Sequence, residues 1–175
     1  MKSTFDIAGR TVGIGQPAYV IAEAGVNHNC DVQLGYKLIE TAGAAGADAI
    51  KFQSYTAGKI STRVAPRYWF EPKDPSGTQW DTFDKLDKLS DRDFKSLLGH
   101  AHHVGITAFS TPFDDEAVDF LASLDVPAFK IASADLTCHG LIERAAKVGK
   151  PMILSTGTST LAEVHEALEV CARAG

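Results

Sequence analysis

The sequence predicts an α/β fold, a (β/α) TIM barrel of which the chain holds five strand–helix units behind a short β-hairpin. Two observations predict it. Short apolar runs alternate five times with amphipathic segments of helical period, which is the pattern of parallel strands covered by helices. Polar residues follow nearly every apolar run, and in a barrel the carboxyl ends of the strands converge on one mouth.

The chain length bears on how much of a barrel is present. A complete barrel of eight units usually needs ~250 residues, whereas this chain has 175. We therefore expect residues 1–175 to be the N-terminal portion of a barrel whose later strands are absent. The alternative is a complete five-stranded doubly wound domain, in which the same polar groups would spread along the sheet edge at ~4.8 Å per strand.

The elements follow in order along the chain. The arms of the hairpin are FDIAG and TVGIG. The predicted strands are AYVIAEAG, ADAIKFQ, ITAFSTPF, VPAFKIAS and PMILSTGT. The helices after them are LGYKLIETAGAAG, LSDRDFKSLLGHAHHVG, DDEAVDFLASLD, HGLIERAAKVG and LAEVHEALEVCARAG. Ser90 and Asp93 predict a capping box at the start of the second helix, and Gly105 predicts its end.

Residues 54–80 interrupt this alternation. They hold several prolines and glycines, including Pro75, and the aromatic residues Tyr68, Trp69 and Trp80, without a clear period. Loops of this length are usually functional or disordered. The aromatic residues favour an ordered cover over the site, or a contact with another subunit.

Composition excludes several classes of protein. A net charge of −5 argues against nucleic-acid binding, which requires a basic face. No apolar run approaches the ~20 residues of a membrane span, and the N-terminus lacks the pattern of a signal peptide. Three widely spaced cysteines without a CxxC pair indicate reduced thiols and a cytoplasmic location. The absence of GxGxxG and P-loop motifs disfavours dinucleotide and nucleoside triphosphate sites.

Polar residues at the strand ends are the candidate site. In chain order they are Glu23, Asn27, His28, Lys51, Gln53, Ser110, Thr111, Asp114, Lys130, Ser133, Asp135, Ser155, Thr156 and Thr158. A lysine within an apolar strand is costly to bury without an anionic partner. Glu23 could be the partner of one of the two lysines, Lys51 or Lys130. The other lysine would then lack a partner, which indicates an anionic ligand.

Each of these residues also has a purely structural interpretation. The serines and threonines could cap the helices that follow the strands. His28 could bind a metal, but a lone histidine is more often a hydrogen-bonding residue of a loop. Glu23 could be a salt-bridge partner as well as a catalytic group.

Five segments together resemble a known family. IAEAGVNHN, ADAIKFQ, FSTPFD, FKIASADLT and ILSTGTS are similar, in order and spacing, to segments of the sialic acid (N-acetylneuraminate) synthase family, which includes legionaminate, pseudaminate and spore-coat polysaccharide relatives. The resemblance runs from about residue 5 to the end of the chain. Two residues depart from the family pattern: Cys30 stands where glycine is usual, and Cys138 stands where asparagine is usual.

The resemblance implies a function and a set of roles. The family's barrel is a transferase that condenses phosphoenolpyruvate with an N-acetylated aldose, usually N-acetylmannosamine or a derivative. It implies that the phosphate and carboxylate of phosphoenolpyruvate are held by Lys51, Gln53, Thr111, Lys130 and Ser133. Glu23 would lie beside the reacting carbons, and Asp135 would face the sugar.

The resemblance also implies groups that lie elsewhere. The family requires a divalent metal, Mn²⁺ or Mg²⁺, and its metal-binding histidines and C-terminal antifreeze-like domain come after the segments matched here. That domain reaches into the partner's site, which implies a homodimer for the full-length form. Two alternatives stay open: a Schiff-base aldolase that uses Lys51 or Lys130, and a non-catalytic barrel fragment with residual anion binding.

Overall fold

The computed structural model describes residues 4–72 and 77–175. Pro75 lies outside the described residues; it belongs to residues 54–80, which we term the aromatic segment. The described chain opens with an antiparallel hairpin of β1 (Thr4–Ile7) and β2 (Arg10–Gly13). Ile7 is fully buried and joins the core, while Arg10 forms an ion pair with Asp48 just before a strand of the main sheet. The predicted hairpin is thus confirmed, and it packs against the amino-terminal side of the sheet.

Five parallel strands form the main sheet. They are β3 (Ile21–Gly25), β4 (Ala49–Ser54), β5 (Thr107–Pro112), β6 (Phe129–Ile131) and β7 (Met152–Leu154). They lie side by side in the order of the sequence. A doubly wound sheet reverses its strand order at a switch point. The uniform order of these strands contradicts that alternative and confirms the barrel type. The barrel formed by the described residues is incomplete.

Helices cover the outer face of this sheet. They are α1 (Val32–Ala44), α4 (Asp91–Val104), α5 (Asp115–Ser123), α6 (His139–Lys147) and α7 (Leu161–Ala174), while the short helices α2 (Ala57–Ile60) and α3 (Gln79–Leu86) lie in the segment between β4 and α4. Phe52, Phe109 and Phe129 are the largest fully buried side chains of the core. No helix in the described ranges has both the length and the apolar character that crossing a membrane requires.

Local sequence signals explain where the helices begin. Ser90 and Asp93 form the capping box predicted for α4, and Gly105 ends that helix at a φ of +84°, where glycine is favoured. Asp114 caps α5, and capping boxes also begin α3 at Thr78 and α7 at Thr160. These caps fix the amino ends of the helices beside the carboxyl ends of the strands.

The aromatic segment is more regular than its sequence predicts. It contains the single turn α2 and the start of α3, and a β-bridge pairs Pro66 with Thr78. Trp80 lies under the guanidinium of Arg63, 4.5 Å from its carbon atom to the ring centroid. The described residues of this segment are therefore ordered, as its aromatic residues favour. Its role as a cover or a subunit contact stays a prediction.

Candidate functional site

Lys51 lies at the centre of a polar cluster on the inner face of the sheet. Its side chain is only 7% exposed, and its Nζ lies 2.5 Å from Oε1 of Glu23. The same Nζ donates a hydrogen bond to Oγ1 of Thr111 at 3.3 Å. The parallel register causes this meeting, because Glu23 pairs with Lys51 across β3–β4, and Gln53 pairs with Thr111 across β4–β5.

Lys130 lies on the same face as Lys51. Lys51 is in register with Phe109, and the next residue, Ser110, is in register with Phe129. Because side chains alternate along a strand, Lys130 points to the face that Lys51 occupies. Its Nζ donates to the carbonyl oxygen of Ile131 at 2.7 Å.

The pKa of Lys130 is affected by the other charged groups at these strand ends. Burial lowers the pKa of Lys130, and the positive charge of Lys51 lowers it further. The carboxylates of Glu23 and Asp135 act in the opposite direction on that pKa. Two lysines and two carboxylates, on or directly after the three strands β3, β4 and β6, therefore act on one another electrostatically.

Gln53 and Glu23 approach the backbone at Gly25. Gly25 has a φ of +54° and follows an irregularity in the register of β3. A Cβ atom at this position would lie 3.8 Å from Oε1 of Gln53 and 3.9 Å from Oε1 of Glu23. These are ordinary contact distances, so it is the positive φ, and not a lack of space, that favours glycine at the end of β3.

Asp135 and Ser133 lie in one turn of 3₁₀ helix, Ser133–Asp135, directly after β6. Burial raises the pKa of Asp135, and the Lys130 charge partly offsets that effect. Its Oδ2 atom is buried and accepts no hydrogen bond from the described residues. The carbonyl oxygen of Ser133 accepts a hydrogen bond from Oγ1 of Thr158, which ties this turn to the end of β7.

The capping interpretation of the strand-end hydroxyls is wrong. Asp114 caps α5 and Thr160 caps α7, while Cys138, at the N-cap of α6, makes no side-chain cap. Ser110 lies on the opposite face from Lys51, where its hydroxyl is 2.8 Å from that of Ser54. Of the strand-end hydroxyls, Thr111 is the one that contacts Lys51.

Sequence reasoning missed a second feature, a cavity of about 240 Å³ beside the end of β4. We term it the outer cavity. Its walls include Gln53, His28, Tyr55, Asp87, Phe94 and Asp114. It does not coincide with the inner-face cluster, since Glu23, Lys51, Thr111 and Lys130 are not part of its walls. The sequence carries no signal for it, because the segments that form its walls meet only in the tertiary fold.

The loop after β3 borders this cavity. His28 is buried and accepts a hydrogen bond at Nδ1 from the backbone N–H of Cys30, at 3.1 Å. This agrees with its interpretation as a hydrogen-bonding loop residue. Cys30 has a φ of +61°, a region that favours glycine, and its Sγ accepts from the backbone N–H of Lys88 at 3.3 Å.

We also searched the described residues for a possible metal site. Across residues 4–72 and 77–175, no group of three or more histidine, cysteine, aspartate or glutamate side chains is arranged to hold a metal ion.

Comparison with known proteins places this geometry in context. The profile of the NeuB family matches residues 38–175. An uncharacterized protein of Methanocaldococcus jannaschii is 44% identical over 94% of this chain and 45% of its own length. The N,N'-diacetyllegionaminic acid synthase of Campylobacter jejuni is 41% identical over 89% of this chain and 47% of its own length.

The fold has a close match among solved structures. The N-acetylneuraminic acid synthetase of Leptospira borgpetersenii, solved in complex with citrate, superposes with a TM-score of 0.83 at 29% identity. The match covers 98% of this chain and 55% of that one. The chain spans about half the length of the curated relatives it matches.

Proposed function

The chain belongs to the NeuB family, and from this premise we propose that the protein condenses phosphoenolpyruvate with an N-acetylated aldose, N-acetylmannosamine or a derivative. The products are a nonulosonate of the sialic acid type and inorganic phosphate. Its relatives are synthases of such acids by name, which supports a transferase of carbohydrate biosynthesis. We extend the proposal to a cytoplasmic location and to a homodimer for the full-length form.

One observation carries the proposal: Lys51 and Lys130 lie on one face of the sheet, beside the hydroxyl of Thr111. Phosphoenolpyruvate carries both a phosphate and a carboxylate, and two ammonium groups with hydroxyl and amide donors form a matching set. Lys130 donates one of its three N–H groups to Ile131, so two remain for a ligand. Gln53 and Ser133 supply the neutral donors in this proposal.

Glu23 has the exposure that a base needs. Its side chain is 62% exposed while it holds Lys51 at 2.5 Å, so solvent reaches the carboxylate. When the ligand phosphate binds Lys51, Glu23 becomes free to accept a proton. Asp135, whose pKa is raised by burial, is suited to face the sugar and to donate a proton to the aldehyde oxygen.

The reaction then balances over these groups. C3 of phosphoenolpyruvate forms a bond to the aldehyde carbon, and the aldehyde oxygen takes a proton. Water adds at C2 and gives its proton to Glu23. The hydroxyl at C2 of the tetrahedral intermediate then becomes the C2=O group as the C2–O bond to phosphate breaks, and its proton goes to the phosphate, which leaves between the two lysines. No step is assigned to a metal, because the described residues do not offer its ligands.

The test is turnover. The protein is incubated with phosphoenolpyruvate, N-acetylmannosamine and Mn²⁺, and released phosphate is measured together with the mass of the nonulosonate. We expect both products in equal amounts, and none when the aldose is left out. Phosphate release that does not depend on the aldose contradicts the proposal. Binding of phosphoenolpyruvate without turnover supports the alternative of a non-catalytic fragment.

A Schiff-base aldolase remains a second candidate because of Lys130. Its lowered pKa increases the fraction of neutral amine, which is the form that attacks a ketone. Borohydride reduction in the presence of pyruvate, followed by peptide mass spectrometry, separates the two chemistries. A reduced adduct on Lys130 or Lys51 supports the aldolase, and its absence supports condensation.

A further inference from the structure

A groove lies between α4 and α5, near the amino ends of the sheet strands. It encloses about 770 Å³, which is within the ~300–1,000 Å³ of small-molecule sites. Its walls come from α4, the start of β5, the connection between α5 and β6, and the hairpin turn at Ala8. We term it the α4–α5 groove. None of the described residues in its walls is assigned to phosphoenolpyruvate or lines the outer cavity.

The groove results from the unequal lengths of the two helices. Helix α4 has 14 residues and α5 has 9, so α4 is ~8 Å longer at ~1.5 Å per residue. The rings of Phe94 and Phe120, with centroids 5.9 Å apart, join the helices near the start of α4. Beyond this contact α5 ends at Ser123, and residues 124–127 form an irregular connection to β6. The later part of α4 therefore has no neighbouring helix on this side.

The other sides of α4 are already occupied. One face carries its buried residues and packs in the core, and one flank packs on α1, where His100 is hydrogen-bonded to Glu40 at 3.0 Å. The flank that lines the groove carries Lys95, Leu98, Gly99 and His102. A Cβ at Gly99 would meet no atom within 4 Å, so this wall is open.

The surface of the groove is mainly apolar. Leu98, Leu124 and Pro127 are half-buried in its walls, and the buried side chains of Ile106 and Val126 also line it. An apolar concave surface favours an occupant with an apolar body, because contact removes both surfaces from water.

The charged groups of the groove restrict the polar part of that occupant. Lys95 and His102 are seven positions apart on α4, so both side chains lie on one flank of the helix, and both are exposed. Neither forms an ion pair with a residue of 4–72 or 77–175. The carboxylate of Asp125, also in the wall, is paired with Lys150 at 2.6 Å. The groove therefore has a positive balance, in a chain whose net charge is −5.

We propose that the α4–α5 groove binds a small amphipathic monocarboxylate. Its apolar body packs against Leu98, Leu124 and Pro127. Its carboxylate accepts hydrogen bonds from the ammonium group of Lys95 and from an imidazole N–H of His102. The inference does not depend on the proposed condensation, because the residues assigned to phosphoenolpyruvate lie outside the groove.

The probe is octanoate, and octanamide is its neutral counterpart with the same apolar body. Binding is followed by ¹H–¹⁵N NMR titration of the protein, in which the shift changes also locate the ligand. We expect saturable binding of octanoate with shift changes at Gly99, Gly105 and Thr107. Octanamide should bind about three- to fivefold more weakly, the size of one exposed ion pair. Acetate, which has the charge without the apolar body, should show no saturable binding.

Two variants test the two parts of the site. Gly99→Leu places a side chain in the open groove and should abolish octanoate binding, while the fold is retained because leucine is a better helix former than glycine. A thermal melt verifies the fold of this variant. Lys95→Met should remove the preference for octanoate over octanamide. The control Lys147→Met removes an exposed lysine elsewhere on the surface and should preserve that preference.

Phosphoenolpyruvate binding separates this site from the proposed function. Lys130→Met should leave octanoate binding unchanged, and a protein that binds octanoate without binding phosphoenolpyruvate would count against the proposed function alone. Absence of saturable octanoate binding, shift changes confined to other surfaces, or equal affinities for octanoate and octanamide overturns the inference. Undiminished octanoate binding by Gly99→Leu overturns it as well.

Discussion

Replacing Lys130 with methionine removes one ammonium group and keeps most of the length of the side chain. The structure indicates a small effect on folding. The carbonyl of Ile131 loses the hydrogen bond from Lys130 but keeps the one from the backbone N–H of Ser155, at 3.1 Å. The substitution also removes a half-buried charge that is repelled by Lys51. We therefore expect the free energy of unfolding to change by less than ~1 kcal/mol.

The effect on ligand binding is expected to be much larger. Truncating one partner of a buried charge pair costs ~2–5 kcal/mol. Lys130 is only half-buried, so the lower end applies, and the dissociation constant for phosphoenolpyruvate should rise about 30-fold, or ~2 kcal/mol. Isothermal titration calorimetry measures this constant, and a thermal melt in parallel verifies the fold.

The matched control is Lys147→Met. Lys147 is 61% exposed, pairs with Glu143 on the helix surface, and also carries one positive charge. It should leave the affinity for phosphoenolpyruvate unchanged. The reasoning is refuted if Lys130→Met binds as tightly as the wild type, or if both variants lose affinity equally, because only net charge would then matter.

Three further predictions concern pH, packing and association. The pKa of Lys130 is lowered from 10.5 in the folded protein, so the unfolded state binds more protons below pH 10.5. The free energy of unfolding should therefore rise as the pH is raised toward 10.5. Lys130→Met should flatten that rise, as measured by denaturant titrations at several pH values. A Cβ at Gly35 would lie 2.6 Å from Cδ2 of the buried Leu97, so Gly35→Ala should lower the free energy of unfolding by ~1–3 kcal/mol. The control Gly99→Ala has open space around the new methyl group and should not destabilise the protein. Equal melting temperatures for the two variants would contradict the packing of α1 on α4. Strands β3 and β7 each have one unpaired edge in the described sheet, so residues 1–175 alone should associate and melt at lower temperature on dilution; a monomer by light scattering with a concentration-independent melt would count against this.

The sequence contained enough to predict the order of the strands and helices. Apolar runs of five or six residues, separated by amphipathic segments, correspond to β3, β4 and β5 in the structure. Ser90 and Asp93 located the start of α4 correctly because a capping box is a local interaction between residues three apart. The inner-face cluster was also accessible, because strand alternation places Lys51 and Gln53 on one face.

The predictions failed where structure depends on contacts distant in sequence. Helix α3 was not predicted, although Trp80, Phe83 and Leu86 recur at helical spacing and the Thr78–Asp81 capping box marks its start. Trp80 and Phe83 pack on Gly58 and Tyr55, which no local pattern indicates. The alternative that the strand-end hydroxyls cap the following helices fails for a local reason instead, because Asp114 and Thr160, a few residues later, are the caps. The outer cavity joins residues as distant as His28 and Asp114, and no local pattern predicts their meeting.

The position of bound phosphoenolpyruvate is the most direct test of the central claim. A crystal structure of the protein soaked with phosphoenolpyruvate would locate both of its anionic groups. The account predicts the ligand on the inner face, with its phosphate and carboxylate in contact with Lys51 and Lys130 and with Thr111 at hydrogen-bond distance. Phosphoenolpyruvate bound in the outer cavity, or contacting neither lysine, would contradict the account.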